Sequence, residues 1–148
     1  MVSKTNGGFL ISQIKQVSGR IFERLLADAG VDAFNGAQGR ILYVLWQSDG
    51  IPIAELSQKT GLAKTTLTSM LDRMEQTGLL RRAYDPADRR QIRISLTQQA
   101  RQLQGDYERV SGAMNELYYA GFTDAEIIAL ETSLRRILHN LNESERNK

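Results

Sequence analysis

Asp85-Pro-Ala-Asp-Arg-Arg-Gln-Ile-Arg-Ile-Ser-Leu-Thr97 is a polar turn that runs into an alternating strand. In its second half Ile92, Ile94 and Leu96 alternate with Arg93 and Ser95. A period of two sends successive side chains to opposite faces of a strand. Gln91 to Leu96 is therefore expected to be one strand and Leu79 to Tyr84 its partner, with Pro86 after Asp85 suited to the tight turn between them. These two are the only good strand candidates. The expected product is a hairpin with Arg89 and Arg90 at or next to its tip.

Working outward, the chain reads as helical. Upstream, Lys64 to Thr77 carries Leu67, Met70, Leu71 and Met74 on one stripe, and Gly78 ends it. Ile53 to Lys59 precedes it as a short helix, with Thr60-Gly61 as the break. Two short helices across a glycine turn form a helix-turn-helix unit. Followed by a basic hairpin, the unit has the layout of a winged helix-turn-helix, in which helices address a major groove and a wing carries cations to the flanking backbone and minor groove. Further upstream, Asn35 can cap a helix running to about Ser48, and Asp49-Gly50 is a turn signal. Phe9 to Ala29 places Leu10, Ile14, Val17, Ile21 and Leu25 on one helix face before Gly30.

Downstream, Thr97 to Tyr119 is expected to be one long helix. Ala100, Leu103, Tyr107, Val110, Met114 and Leu117 recur in steps of three and four, a heptad seam. Thr123-Asp-Ala-Glu126 is a capping box that opens a last helix bearing Ile127, Leu130, Leu134, Leu138 and Leu141. Glu143 to Lys148 reads as a frayed polar tail. A winged helix needs only about half of such a chain, so the seams of the terminal helices need cover, and a second copy is the economical source. A symmetric dimer would hold its two reading helices roughly 34 Å apart, one turn of DNA. The fold class is thus mainly α with a small β-hairpin wing. Residues 36–99 form the DNA-binding winged helix-turn-helix, and 1–34 and 100–148 the flanking dimerisation helices of a single domain over 1–148.

Composition agrees. With 148 residues, 41% hydrophobic and 24% charged, the chain can build one packed core. The formal net charge is only +2. Its distribution is more telling: Leu79 to Ile94 holds five arginines against two acids, a local balance of +3, whereas Thr123 to Lys148 holds four bases against five acids. Basic charge gathered in one segment is the electrostatic footprint of a nucleic-acid binder. Cysteine is absent, which removes disulfides, thiol redox sensing and cysteine metal sites. No apolar run approaches membrane-spanning length, so the expectation is a cytoplasmic protein with no membrane association.

The segment Gly61-Leu-Ala-Lys-Thr-Thr-Leu-Thr-Ser-Met-Leu-Asp-Arg-Met-Glu-Gln-Thr-Gly-Leu-Leu80, followed by Asp88-Arg-Arg90 and, five residues on, Leu96-Thr97, resembles the MarR family of bacterial transcriptional regulators. The close match covers about Ile53 to Leu103; the flanking helices agree in order and length. The resemblance implies a homodimer on double-stranded DNA at a pseudopalindromic operator, acting as a repressor that a small aromatic or phenolic effector releases. Cysteine-based peroxide sensing and multi-histidine zinc sensing, known in relatives, do not carry over, because this chain has no cysteine and only His139.

The expected DNA-binding residues are Lys64, Thr65, Thr66, Thr68, Ser69 and Arg73 on the second helix of the unit and Asp88, Arg89 and Arg90 on the wing. Hydroxyls and a helix N-terminus suit bases and phosphates, and an arginine suits a narrow minor groove. The alternatives are helix capping, an exposed ion pair of Arg73 with Asp72 or Glu75, and a solvated turn. Asp88 is expected to pair with a nearby arginine, and some of Arg81, Arg82 and Arg93 to point back towards protein. Phe22, Phe34, Tyr43, Trp46 and Tyr107, with Arg20, are candidates for an effector pocket, against plain core packing as the alternative. No cofactor or metal is expected. No nucleophile-base pair, glycine-rich phosphate loop or metal-spaced cluster supports an enzyme. Two other functions compete: a winged-helix protein-interaction module and a nonspecific architectural DNA binder.

Overall fold

The computed structural model describes residues 3–147. Its contacts divide the chain into two units, Met1–Met114 and Asn115–Lys148. The first holds helices α1 (Gly7–Asp28), α2 (Gly36–Gln47), α3 (Ile53–Thr60), α4 (Lys64–Gln76) and α5 (Gln98–Arg101), strands β1 (Ile51–Pro52), β2 (Leu80–Tyr84) and β3 (Ile92–Leu96), and most of α6 (Gln104–Tyr118). The second holds the end of α6 and α7 (Asp124–Arg146).

The helix ends follow local chemistry. Asn35 caps α2 by accepting from the Gln38 amide at 2.8 Å, while Gln38 Oε1 accepts from the Asn35 amide at 3.0 Å. Thr123 and Glu126 make the same reciprocal pair at the start of α7. Gly61, at φ 75°, turns the chain between α3 and α4, and Gly78, at φ 80°, turns it from α4 into β2; both are left-handed positions that suit glycine.

The core of the first unit is continuous. Ile41, Leu42 and Leu45 of α2, Leu56 of α3, Leu67, Leu71 and Met74 of α4 and Ile94 of β3 are all fully buried. Tyr107 and Val110 of α6 join the same cluster. Packing around α2 is tight. A Cβ on Gly39 would lie 2.9 Å from Tyr107 Cε1 and 3.3 Å from Phe34. Gly39→Ala is therefore expected to cost about 1–2 kcal/mol despite the better helix propensity of alanine, read as a lower urea midpoint at unchanged slope.

Three expectations need correction. The sheet has three strands, in the order β1-β3-β2, all antiparallel. Strand β1 pairs Ile51 with Ile94 and Pro52 with Arg93. Two residues, one of them proline, give no periodic signal, and their pairing is decided by the partner strand. The expected helix from Thr97 to Tyr119 is broken at Gln102 and Leu103. The Ala100 carbonyl there accepts from the Leu103 amide at 3.1 Å and from the Trp46 indole at 3.0 Å, which tightens the turn away from α-helical pairing. Lastly, the tail expected to fray is helical to Arg146, which pairs with Glu143 one turn earlier. Lys148 lies outside the described residues.

The seams divide in a way that sequence alone did not separate. Ala100 of α5 and Tyr107, Val110 and Met114 of α6 are at most 9% exposed within the single chain, so most of that seam, Leu117 excepted, needs no second copy to cover it. By contrast, Phe9, Leu10, Ile14 and Val17 of α1 are 45–66% exposed. Leu130, Leu134, Leu138 and Leu141 of α7 are 38–60% exposed.

Candidate nucleic-acid interface

Helix α4 buries Leu67, Leu71 and Met74 and leaves Lys64, Thr65, Thr66, Thr68, Ser69 and Arg73 exposed. The burial rhythm of three and four fixes which side faces out. Its N-cap is Ala63, with no side-chain cap, so the hydroxyls of Thr65 and Thr66 are not spent on capping. Its first amides point outward from a helix end that favours an anion. Thr68 differs from expectation in one respect. Its hydroxyl donates to the Lys64 carbonyl at 2.8 Å, which leaves it only acceptor lone pairs and a methyl group to present.

The hairpin between β2 and β3 is closed by two consecutive turns. The Asp88 amide donates to the Asp85 carbonyl at 3.2 Å, and the Gln91 amide to the Asp88 carbonyl at 3.0 Å. Arg89 and Arg90 are thus the two central residues of the second turn, at the tip. Asp88 accepts from the Arg90 amide and from Arg90 Nε, both at 3.1 Å, and this pairing with Arg90 holds the Asp88 carboxyl below its ordinary range. Arg89 makes no hydrogen bond or ion pair among the described residues.

The remaining arginines sort by what they touch. Arg93 donates Nε to Asp85 at 2.7 Å and Nη1 to the Gly50 carbonyl at 2.7 Å, fastening β3 to the wing root and to the turn before β1. Asp85 is buried, and its carboxyl is held below its ordinary value, first by the Ala87 amide and then by Arg93. Arg82 grips Asp72 and Glu75 of α4, at 2.7 and 2.8 Å. Those two acids were the alternative partners for Arg73, which makes no ion pair among the described residues. Arg81 is likewise exposed and without an ion pair among the described residues. The sequence left Arg81, Arg82 and Arg93 unsorted because an exposed strand edge and a clamp on a neighbouring helix carry the same local pattern.

The five candidate pocket aromatics do meet, with Tyr107 at the centre. Its ring centroid lies 5.3 Å from Trp46, 5.8 Å from Tyr43, 5.9 Å from Phe22 and 6.1 Å from Phe34. Burial raises the Tyr107 phenol above its ordinary range. Phe34 and Tyr107 are buried, whereas Tyr43 is exposed. Arg20 is not among these rings. It lines an open groove of about 330 Å³ with Lys15, Glu23 and Arg40, between α1 and α2. Glu23 accepts from the Gly36 amide at 2.7 Å, tying α1 to the start of α2 beside that groove. His139 is exposed on α7. Among the described residues no group of three or more His, Cys, Asp or Glu is placed to hold a metal ion, and no helix is long and apolar enough to cross a membrane.

Residues 34–92 match the family model described as the MarR family. The HTH-type transcriptional regulator TtmR of Methylorubrum extorquens (strain PA1) is 35% identical over 97 residues, which cover 66% of this chain and 48% of that protein. The chain belongs to the MarR family. A second relative, the uncharacterized HTH-type transcriptional regulator YsmB of Bacillus subtilis (strain 168), is 34% identical over 97 residues, 66% of this chain and 66% of its own length. The chain thus spans about half to two thirds of the length of these curated relatives. Among solved structures, a mutant MarR from E. coli complexed with operator DNA is 25% identical with a TM-score of 0.78, the match covering 88% of this chain and 92% of that one. A MarR transcriptional regulator from Methanosarcina mazei Go1 is 23% identical with a TM-score of 0.81, the match covering 95% of this chain and 99% of that one, and the winged helix-turn-helix fold class read from the sequence is the one these two structures share.

Proposed function

We propose that this MarR-family chain is a sequence-specific DNA-binding transcriptional regulator, a repressor that works as a homodimer on a pseudopalindromic operator in the cytoplasm. One observation carries the proposal. A 13-residue helix buries Leu67, Leu71 and Met74, half-buries Met70 and turns Lys64, Thr65, Thr66, Thr68, Ser69 and Arg73 outward, and an ion-pair clamp joins it to a hairpin tipped by Arg89 and Arg90. In this reading α4 lies in the major groove, its amino end addresses a phosphate, and Arg89 enters the adjacent minor groove. Arg89 is preferred over Arg90 because Asp88 already engages Arg90. These roles ask for no catalytic chemistry, so the protein is read as a regulator and not an enzyme.

The exposed apolar faces of α1 and α7 are the surfaces assigned to the homodimer, since contiguous apolar patches on a soluble chain mark contact sites. A small aromatic or phenolic effector is assigned to the α1–α2 region. Arg20, Lys15 and Arg40 there suit an anionic group, and the Phe22, Phe34, Tyr43, Trp46 and Tyr107 cluster suits a ring.

The test is a titration of the full chain against a labelled duplex from the intergenic DNA upstream of its own gene and against random duplex, at several salt concentrations. Affinity for the upstream duplex is expected to fall steeply with salt and to exceed that for random DNA by about a thousandfold. No binding to either duplex would point to a protein-interaction module, and equal binding to both to an architectural role.

A further inference from the structure

Asp72 sits four residues after Thr68 and three after Ser69, so it shares the outward face of α4 with the residues assigned to DNA. A carboxylate on that face opposes the phosphate backbone. Its side chain is 52% exposed, and that of Glu75, one turn on, is 37% exposed. Arg82 meets both. Nη1 lies 2.7 Å from Asp72 Oδ1, Nη2 lies 2.8 Å from Glu75 Oε1, Nε donates to the same Glu75 oxygen at 3.1 Å, and the Arg82 amide donates to Glu75 Oε2 at 3.2 Å. All three guanidinium nitrogens are thus committed. The Arg82 side chain is 27% exposed, less than either acid. Its bond to Glu75 is the largest cause both of a guanidinium held above its ordinary range and of a Glu75 carboxyl held below its own.

We infer that Arg82 is a positioning residue for DNA binding, which cancels the charge of Asp72 and Glu75 on the reading helix and fixes that helix to the wing strand. The inference rests on the DNA-binding function proposed above. In this role Arg82 acts without contacting DNA, by removing two repulsions and by setting the angle between α4 and β2. An exposed pair of this kind adds little to stability. Its worth lies where a phosphate approaches, because every uncancelled acid at the interface counts against the cations that displace counterions.

The test compares Arg82→Gln, Asp72→Asn with Glu75→Gln, and all three together, in the full chain on the upstream duplex, with circular dichroism as the check on folding. Arg82→Gln alone is expected to weaken binding about tenfold, and adding the two amides to restore it to within about threefold of the original. A merely structural arginine would give no such rescue, so a triple variant as weak as Arg82→Gln overturns the inference, as does Arg82→Gln binding at full strength. If Arg82→Gln does not fold, the Asp72→Asn/Glu75→Gln protein decides alone. With Arg82 freed and both acids gone it is expected to bind random duplex about tenfold more tightly, and unchanged binding overturns the inference. Original protein that binds neither duplex would remove the DNA-binding function itself; original protein that binds, beside an indifferent Arg82→Gln, would remove only the role given to Arg82.

Discussion

Alanine at both Arg89 and Arg90 is expected to weaken binding to the upstream duplex by about 30- to 100-fold while the melting temperature and oligomeric state stay unchanged. The two side chains occupy the central positions of the tip turn, and Arg90 is 91% exposed, so neither is part of the packed core. Their loss removes cations from the place where a narrow groove deepens the negative potential, and each such contact is worth about 1–3 kcal/mol. The slope of log affinity against log salt is expected to become shallower by about one to two units. Arg89→Ala alone should reproduce most of the loss, because Arg90 is held by Asp88 at 3.1 Å and Arg89 has no partner among the described residues. Fluorescence anisotropy over a salt series measures both quantities. A double variant that binds with original affinity and slope would mean that the hairpin does not reach DNA.

A second large effect is expected on α7. Leu134→Asp together with Leu138→Asp is expected to yield a monomer at concentrations where the original chain sediments as a dimer. The two leucines are 41% and 57% exposed in the single chain, so roughly half of each remains to be covered by a partner. At about 1.5–3 kcal/mol for full burial of a leucine, the uncovered half is worth about 1 kcal/mol each. Two-fold symmetry doubles the count to four side chains, about 4 kcal/mol, before the cost of burying four carboxylates is added. That corresponds to a dimer dissociation constant raised by about a thousandfold or more. The fold of the single chain should survive, because α7 has no buried residue to lose. DNA affinity should fall with it, since a monomer engages only one half-site. A stable dimer carrying both aspartates would place the interface elsewhere.

Most of the elements could be read from the chain because their causes are local. The α4 stripe of Leu67, Leu71 and Met74, the alternation of Ile92, Ile94 and Leu96, the glycines at 61 and 78 and the capping residues Asn35 and Thr123 each act within a few residues of themselves. The exposed face of α4 followed directly, since an amphipathic period fixes the outward side once the inward side is known. Strand β1 and the break after Arg101 were not legible for the opposite reason. Ile51 and Pro52 are a strand only because β3 lies beside them, and the helix breaks at Gln102 and Leu103 where an indole 54 residues before Ala100 competes for the Ala100 carbonyl.

By itself the sequence determined the wing, the helix-turn-helix and the concentration of basic charge, because period, turn chemistry and formal charge are properties of neighbours along the chain. Tertiary structure alone decided which arginines are available. Arg82 and Arg93 are consumed by Asp72, Glu75 and Asp85, while Arg73, Arg81 and Arg89 are left without ion pairs among the described residues. It also decided that the α6 seam is largely covered by its own chain while α1 and α7 keep exposed apolar faces. A guanidinium chooses its partner by distance in space, and a seam is closed by whatever packs on it. Neither quantity is written in the spacing of residues along one strand or helix.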